Sequence, residues 1–268
     1  MASTQRPQEA QRRPASPPPP TLPTPFREHA EHIAIDLPGG RALFTTRRGG
    51  VSEGPYQSLN LGWLTDDDAG HVEVNRARVG ELAGIAPARF AQGRQVHDTR
   101  VRRRPLPPDP SEWPPEPADG QATDLPGVAP IVLVADCLPV ALVAPEAVAM
   151  LHCGWRGLAG GIVAEGVAAL RALGAGGPIA AAIGPGAGRC CYEVGEEVHQ
   201  RFASHGAEVR QGRRLDLKLV TRRALSAAGV AEVHDVGLCT MCADPSLFFS
   251  HRRARGVAGR QAGLVWRS

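Results

Sequence analysis

No apolar run in this 268-residue sequence approaches the roughly 20 residues that a helix needs to cross a bilayer. The N-terminus has no apolar segment of the kind that a secretory signal requires. Neither positive nor negative charge is in large excess, because 30 basic and 27 acidic side chains give a formal net charge of +3. We therefore expect a cytoplasmic protein that binds neither nucleic acid nor a membrane.

Cysteines are few, and without a secretory signal they are expected to be reduced thiols. Cys239 and Cys242 form one CxxC pair. A structural zinc site would need two more ligands, and no partner pair stands at a suitable spacing. We therefore expect this pair to serve packing or a turn. Cys190 and Cys191 are adjacent in the chain, so ordinary disulfide geometry does not favour a bridge between them.

Proline is concentrated in two stretches that divide the chain. Residues 1–26 are rich in Pro, Gln, Arg and Ser, and we expect a disordered tail because they carry too little apolar surface to form a core. Residues 102–117 form a second Pro-rich stretch, which we interpret as a surface insertion. Residues 27–268 are long enough for a single compact domain, and 43% of the whole chain is hydrophobic.

Apolar patterning predicts a mixture of strands and helices. Strands are expected at 33–37, 42–46, 131–135, 140–144, 148–152, 179–183, 232–236 and 262–266. Helices are expected at 70–84, with Asp68 as its cap, and at 157–173, 194–205 and 215–228. Several neighbouring strands are too close in sequence for a crossover helix. We therefore predict an α/β (α+β) fold of mixed β-sheets flanked by helices.

Candidate metal ligands lie near the ends of predicted strands. Cys137 ends one strand, His152 ends another, and His97 lies upstream of both. One thiolate and two imidazoles suit zinc, and three protein ligands leave a fourth position open, as in catalytic sites. The separations of 40 and 15 residues form no local zinc signature, so spacing alone favours a buried cysteine and two core histidines over a metal site.

Two other chemistries compete with zinc at these residues. Cys137 as nucleophile and His152 as its base would make a Cys–His hydrolase, with Asp136 or another carboxylate orienting the base. A multicopper oxidase needs many clustered imidazoles. The sequence has nine histidines and no His-x-His pair, which argues against that class.

Nine short motifs occur in order along the chain. They are TTRRGGVS (45–52), SLNLG (58–62), QVH (95–97), ADGQATD (118–124), ADCLPV (135–140), HCGWRG (152–157), IGPGAGRCCYEVGEEV (183–198), FFSHRR (248–253) and GRQ (259–261). Together they resemble the YfiH-like family, whose members are called laccase-domain proteins, polyphenol oxidases or purine nucleoside phosphorylases. The resemblance extends from about residue 33 to residue 266.

The resemblance implies a zinc site and a reaction. Zn²⁺ would be bound by His97, Cys137 and His152 of the QVH, ADC and HCGWRG motifs, with copper less favoured. The implied activity is phosphorolysis of adenosine, inosine, guanosine and methylthioadenosine, together with deamination of adenosine. The partners would be a purine nucleoside and phosphate, and a monomer is expected. Two alternatives remain. One is a phenol oxidase, which the family's older name suggests, and the other is a non-catalytic binding protein stabilised by a structural zinc ion.

Phosphate and nucleoside need further side chains. Arg47, Arg156 and the helix start near Gly157 are candidates for phosphate, and Asn60 for the sugar or base. Equally, the arginines can form structural ion pairs and Asn60 can cap a turn. Two positions depart from the family pattern: Cys153 replaces the Ala of HAGWRG, and Arg189 replaces a Pro before the two adjacent cysteines.

Overall fold

Two six-stranded sheets form the centre of the protein in a computed structural model, which describes residues 21–104, 106–109 and 115–268. In chain order the strands are β1 (Arg27–His29), β2 (His32–Leu37), β3 (Gly40–Phe44), β4 (Phe90–Ala91), β5 (Val101–Arg103), β6 (Gly120–Thr123), β7 (Ala129–Val134), β8 (Leu138–Val143), β9 (Val148–Cys153), β10 (Ala180–Ile183), β11 (Arg210–Gln211), β12 (Arg214–Leu215), β13 (Glu232–Asp235) and β14 (Gln261–Arg267). The helices are α1 (Ala69–Ala83), α2 (Trp155–Gly160), α3 (Ile162–Ala172), α4 (Glu196–Arg201) and α5 (Leu217–Ala227).

Both sheets are mixed. The first has the order β1-β2-β3-β14-β7-β4 and the second β13-β10-β8-β9-β6-β5, while β11 and β12 pair separately. Neighbouring strands are antiparallel except for three parallel pairs, β4 with β7, β5 with β6 and β10 with β13. The predicted fold class of mixed sheets flanked by helices is confirmed.

The two sheets pack face to face, and helices cover their outer faces. In β8, Val140 and Leu142 face α3 and α5, whereas the alternate residues Ala141 and Val143 face the first sheet. On the first sheet, Leu43 and neighbouring residues pack against α1. Strands buried on both faces have no polar side, which explains why the sequence shows continuous apolar runs here.

Two predicted helices are interrupted. The helix expected over 157–173 consists of α2 and α3, which meet at Gly161 with φ of 96°. Such a backbone conformation ends a helix, and glycine adopts it without the strain that a Cβ brings. The helix expected over 194–205 is the short α4, followed by a 3₁₀ turn over Ala203–His205. α1 and α5 begin where expected, after the capping residues Asp68 and Asp216.

The boundaries of the two Pro-rich stretches also differ from expectation. Residues 1–20 of the predicted tail lie outside the described residues, but Phe26 is buried between the sheets and Leu22 packs beside it. Within the predicted insertion, residues 105 and 110–114 are not described. Arg102 and Arg103 belong to the edge strand β5, so the insertion begins later than residue 102. No helix in the described ranges has the length and apolar character of a transmembrane span.

Candidate functional site

Three ligand-type side chains from separate parts of the chain converge at one end of the second sheet. His97 lies in the loop after β4, Cys137 in the turn between β7 and β8, and His152 on β9. Their ligand atoms all lie within 4.8 Å of one another. Cys137 Sγ is 3.8 Å from His97 Nε2, and the two imidazole rings meet edge to face with centroids 4.8 Å apart. The structure thus brings the three predicted ligands together.

A buried carboxylate, Asp119, organises this cluster. It accepts hydrogen bonds of 2.9 Å from the backbone N–H groups of Val96, His97 and Asp98. It also pairs with His152 Nδ1 at 2.7 Å. His97 has a φ of 62°, a left-handed conformation that is strained for a residue with a Cβ. The three hydrogen bonds hold the loop in that conformation, so one carboxylate positions both imidazoles.

Asp119 also determines how His152 can act. Burial raises the pKa of Asp119, but hydrogen bonds from His152 and from backbone N–H groups more than offset this effect and lower the pKa. The carboxylate is therefore charged and accepts a hydrogen bond from the Nδ1–H of His152. With Nδ1 occupied in this way, Nε2 is the atom left to bind a metal.

The thiol of Cys137 is acidified by its neighbours. Burial alone raises the pKa of Cys137, but the charge and hydrogen bonding of His152, together with His97, lower it to about 6. Burial lowers the pKa of His152, and the Cys137 thiolate and Asp119 outweigh this and raise it to about 9. Without metal the site therefore holds a thiolate–imidazolium pair at neutral pH. A metal ion would displace the imidazolium proton and take the thiolate as its anionic ligand.

Two glycines of the HCGWRG motif allow these elements to approach closely. A Cβ on Gly154 would lie 3.1 Å from Cys137 Sγ and 3.1 Å from His97 Cδ2, so a side chain there would crowd the ligands. A Cβ on Gly157 would lie 3.1 Å from the Asp98 carbonyl oxygen. Gly157 is buried in α2 and does not line the cavity described next, so it serves packing between α2 and the His97 loop.

The cluster opens into a cavity of about 440 Å³. This volume lies within the usual range for small-molecule sites, roughly 300–1,000 Å³. The cavity is lined by aromatic side chains and arginines, namely Trp63, Trp155, Tyr192, Arg94, Arg156, Arg252 and Arg260. Flat apolar rings suit an aromatic ligand, and guanidinium groups suit an anion.

Arg156 faces this cavity, as expected for a ligand-binding arginine. Its guanidinium lies 4.4 Å from the centroid of the Trp155 ring. No carboxylate in the described part of the chain lies within ion-pair distance of it. By contrast, Arg252 donates a side-chain hydrogen bond to the Glu193 carbonyl, and Arg260 donates to the Ala258 carbonyl. Arg156 is therefore better placed than Arg252 or Arg260 to meet an anionic ligand.

The structure places Arg47 and Asn60 outside the cavity lining. Arg47 donates to the carbonyls of Gln57 and Pro245 and stacks on Phe249. Asn60 is buried, and its amide bonds Thr65 and Asp67. Its side-chain oxygen accepts from the backbone N–H groups of Gly62 and Arg260, at 3.1 and 2.8 Å, and both of those residues line the cavity. The Asn60 contacts match the turn-capping alternative given above, whereas Arg47 has a structural role through carbonyls and an aromatic ring and not through an ion pair.

Asp136 orients backbone beside the cluster. Its carboxylate accepts a hydrogen bond of 2.7 Å from Thr240 Oγ1 and one of 2.8 Å from the Arg252 backbone N–H. Asp119, which lies in the ADGQATD motif, was not among the site residues expected from the sequence. Its partners are 22 and 33 residues away along the chain, so no local spacing links them. An acidic residue in a motif of otherwise small and polar side chains was the available signal.

The thiolate–imidazolium pair predicts the pH dependence of thiol reactivity. In the metal-free protein, we expect alkylation of Cys137 by iodoacetamide to rise with a midpoint at about pH 6. Replacing His152 with Gln removes the imidazolium and should move the midpoint towards the ordinary thiol value of about 8.5. Peptide mass mapping after alkylation distinguishes Cys137 from the other thiols. A wild-type midpoint near 8.5 would contradict the described pairing.

Comparison with known proteins shows a family match over most of the chain. The family model described as "Multi-copper polyphenol oxidoreductase laccase" matches residues 41–268. A purine nucleoside phosphorylase of Pseudomonas aeruginosa is 39% identical over 237 residues, which cover 84% of this chain and 93% of that protein. Purine nucleoside phosphorylase YfiH of Escherichia coli is 36% identical over 239 residues, or 85% of this chain and 94% of the relative.

A solved structure shares the fold as well. The crystal structure of YlmD from Geobacillus stearothermophilus matches with a TM-score of 0.81 and 34% identity. The match covers 91% of this chain and 99% of the YlmD chain. The chain therefore belongs to the laccase-like family of YfiH and YlmD, whose family model has the description multi-copper polyphenol oxidoreductase laccase.

Proposed function

We propose that this protein is a zinc-dependent purine nucleoside phosphorylase that also deaminates adenosine. Its substrates would be adenosine, inosine, guanosine and methylthioadenosine. The observation that carries the proposal is the convergence of His97, Cys137 and His152 beside a cavity large enough for a nucleoside. The names of the relatives support phosphorolysis of purine nucleosides.

The donor set fits zinc. Two imidazole nitrogens and a thiolate are the ligands that zinc accepts most readily, and three of them leave a position open towards substrate. A bound zinc ion would supply Lewis-acid polarisation at that position. The open position also suits a site that binds and releases substrate, as catalytic zinc sites do, so we favour zinc over copper.

The purine base would lie against the aromatic wall of the cavity. Trp63 and Tyr192 line it, and the apolar side chain of Leu133 adds to the same surface. Stacking on aromatic rings is a general means of binding a planar base. The ribose would then face the metal-ligand cluster, since Cys137 and His152 line the same cavity.

Arg156 would bind the phosphate nucleophile. Phosphate attacks C1′ of the ribose while the N-glycosidic bond breaks and the purine leaves. A guanidinium fork binds two phosphate oxygens and so orients the nucleophile. The stacking of Arg156 on Trp155 holds the fork at the cavity wall, which reduces the entropy lost when phosphate binds.

A Cys–His hydrolase is the second candidate. It is supported by the lowered pKa of Cys137 and by the neighbouring imidazole of His152. His97 has no necessary part in that dyad, whereas the zinc proposal makes it a ligand. Substitution of His97 therefore distinguishes the two chemistries.

Ligand substitution should abolish phosphorolysis. We expect Cys137→Ala and His97→Ala each to lower the zinc content. Each should also reduce the release of adenine from adenosine plus phosphate by at least about 100-fold, because only two of the three protein ligands remain. Chromatography detects adenine and ribose 1-phosphate, and it detects inosine as the product of deamination. Chelator should inactivate the wild-type enzyme, and zinc should restore it. Full turnover by both metal-free protein and His97→Ala would instead support the hydrolase.

Loss of the Arg156 guanidinium should affect phosphate more than nucleoside. For Arg156→Gln we expect the KM for phosphate to rise roughly 10- to 100-fold, since a charged hydrogen-bonding partner is removed. The KM for the nucleoside should change much less. Arg41→Gln is the matched control, because Arg41 on β3 pairs with Asp36 on β2 and does not line the cavity. An unchanged KM for phosphate in Arg156→Gln would exclude this role.

A further inference from the structure

Four cysteines form a second cluster of ligand-type side chains. The sulfurs of Cys190, Cys191, Cys239 and Cys242 all lie within 4.8 Å of one another. Sγ–Sγ distances are 3.6 Å for Cys190 and Cys191, 3.6 Å for Cys191 and Cys239, and 3.2 Å for Cys190 and Cys242. The CxxC pair therefore has the partner pair that its sequence spacing did not indicate.

The second sheet brings these cysteines together. β10 and β13 are parallel neighbours, so the loops that follow them leave the same edge of the sheet. The loops remain paired beyond the strands: the Gly186 N–H donates to the Leu238 carbonyl at 3.3 Å, and the Thr240 N–H donates to Gly186 at 3.2 Å. A Cβ on Gly188 would lie 3.2 Å from the Cβ of Cys239. Close approach at this glycine places the adjacent cysteines against the CxxC pair.

Three of the sulfur–sulfur distances approach those of a tetrahedral thiolate site. With Zn–S bonds of about 2.3 Å, the edge of such a tetrahedron is about 3.8 Å, somewhat longer than the three distances given above. The sulfurs of Cys191 and Cys242 lie in disulfide contact, but their Cα atoms are 7.1 Å apart. Disulfides usually join Cα atoms that are about 4.4–6.8 Å apart, so a metal between four thiolates suits this backbone better than a bridge.

Donors around the cluster suit bound thiolates. The Gly188 N–H donates to Cys239 Sγ at 3.2 Å. The Ala243 N–H donates to the Cys239 carbonyl at 3.0 Å, which closes the CxxC turn. The guanidinium of Arg253 bonds the carbonyls of Thr240 and Met241 within this loop. Its positive charge offsets part of the net negative charge of a zinc ion with four thiolate ligands.

We propose that Cys190, Cys191, Cys239 and Cys242 bind a structural zinc ion that holds the two loops together at the edge of the cavity. Tyr192, next to Cys191, lines that cavity, and Thr240, next to Cys239, donates to Asp136 beside the ligand Cys137. The ion would thus stabilise one wall of the cavity without contacting substrate. Its ligands are separate from those of the proposed catalytic zinc.

Metal content tests the proposal directly. Full-length protein is purified under reducing conditions, loaded with zinc and analysed for zinc per chain. We expect Cys239→Ser/Cys242→Ser to bind one zinc fewer than the wild type, whether or not the His97–Cys137–His152 site is occupied. Cys137→Ala is the matched control, because it removes a ligand from the other cluster alone. Substituted with cobalt, Cys137→Ala should retain the sulfur-to-cobalt charge-transfer bands of a tetrathiolate site.

A stability measurement tests the structural role without relying on the double variant. In Cys137→Ala, chelator should lower Tm by more than about 5 °C, since a structural zinc contributes to folding. In the zinc-loaded wild type, the four cysteines should resist alkylation until chelator is added. An equal zinc content in the wild type and the double variant would overturn the proposal. A disulfide would also overturn it. Such a bond would appear, in wild-type protein kept in reducing buffer, as a loss of two hydrogen atoms from the combined mass of the peptides that contain Cys191 and Cys242.

Discussion

The carboxylate of Asp119 is the constraint on which the candidate site depends. It is fully buried, and its two oxygens are shared among three backbone N–H groups and the imidazole of His152. A buried charge is costly unless hydrogen bonds compensate it, so this arrangement stabilises the folded loop only when all four donors are in place. The left-handed backbone at His97 and the orientation of His152 both follow from those hydrogen bonds.

The two cysteine-containing clusters are connected through Asp136. Asp136 precedes the ligand Cys137 and accepts hydrogen bonds from Thr240 in the CxxC loop and from the Arg252 backbone. The loops that carry the four cysteines therefore also form one side of the substrate cavity. In the proposed function, a rigid wall at this point would keep the candidate metal ligands fixed relative to the rest of the cavity lining, which includes Arg156.

Much of the fold could be predicted from local patterns, and the site only in part. Asp68 caps α1 as the sequence indicated, and continuous apolar runs correctly indicated strands buried on both faces. The three ligands were found through motifs, since separations of 40 and 15 residues carry no local signal. The role of Asp119 depends on contacts between distant loops, and so does the approach of Cys190 to Cys242 in the four-cysteine cluster. Arg47, a predicted phosphate ligand, donates to backbone carbonyls instead. The residue type alone does not indicate which partner an arginine will have in the fold.

Zinc affinity at the His97–Cys137–His152 site is the most direct test of the role of Asp119. Calorimetric titration can compare Asp119→Asn with Asp98→Asn, which makes the same change of charge at an exposed residue of the same loop. Residues that orient metal ligands typically contribute 10- to 100-fold to affinity. We predict a loss of that size for Asp119→Asn and little change for Asp98→Asn. An Asp119→Asn protein that is folded and binds zinc as tightly as the wild type would contradict the account.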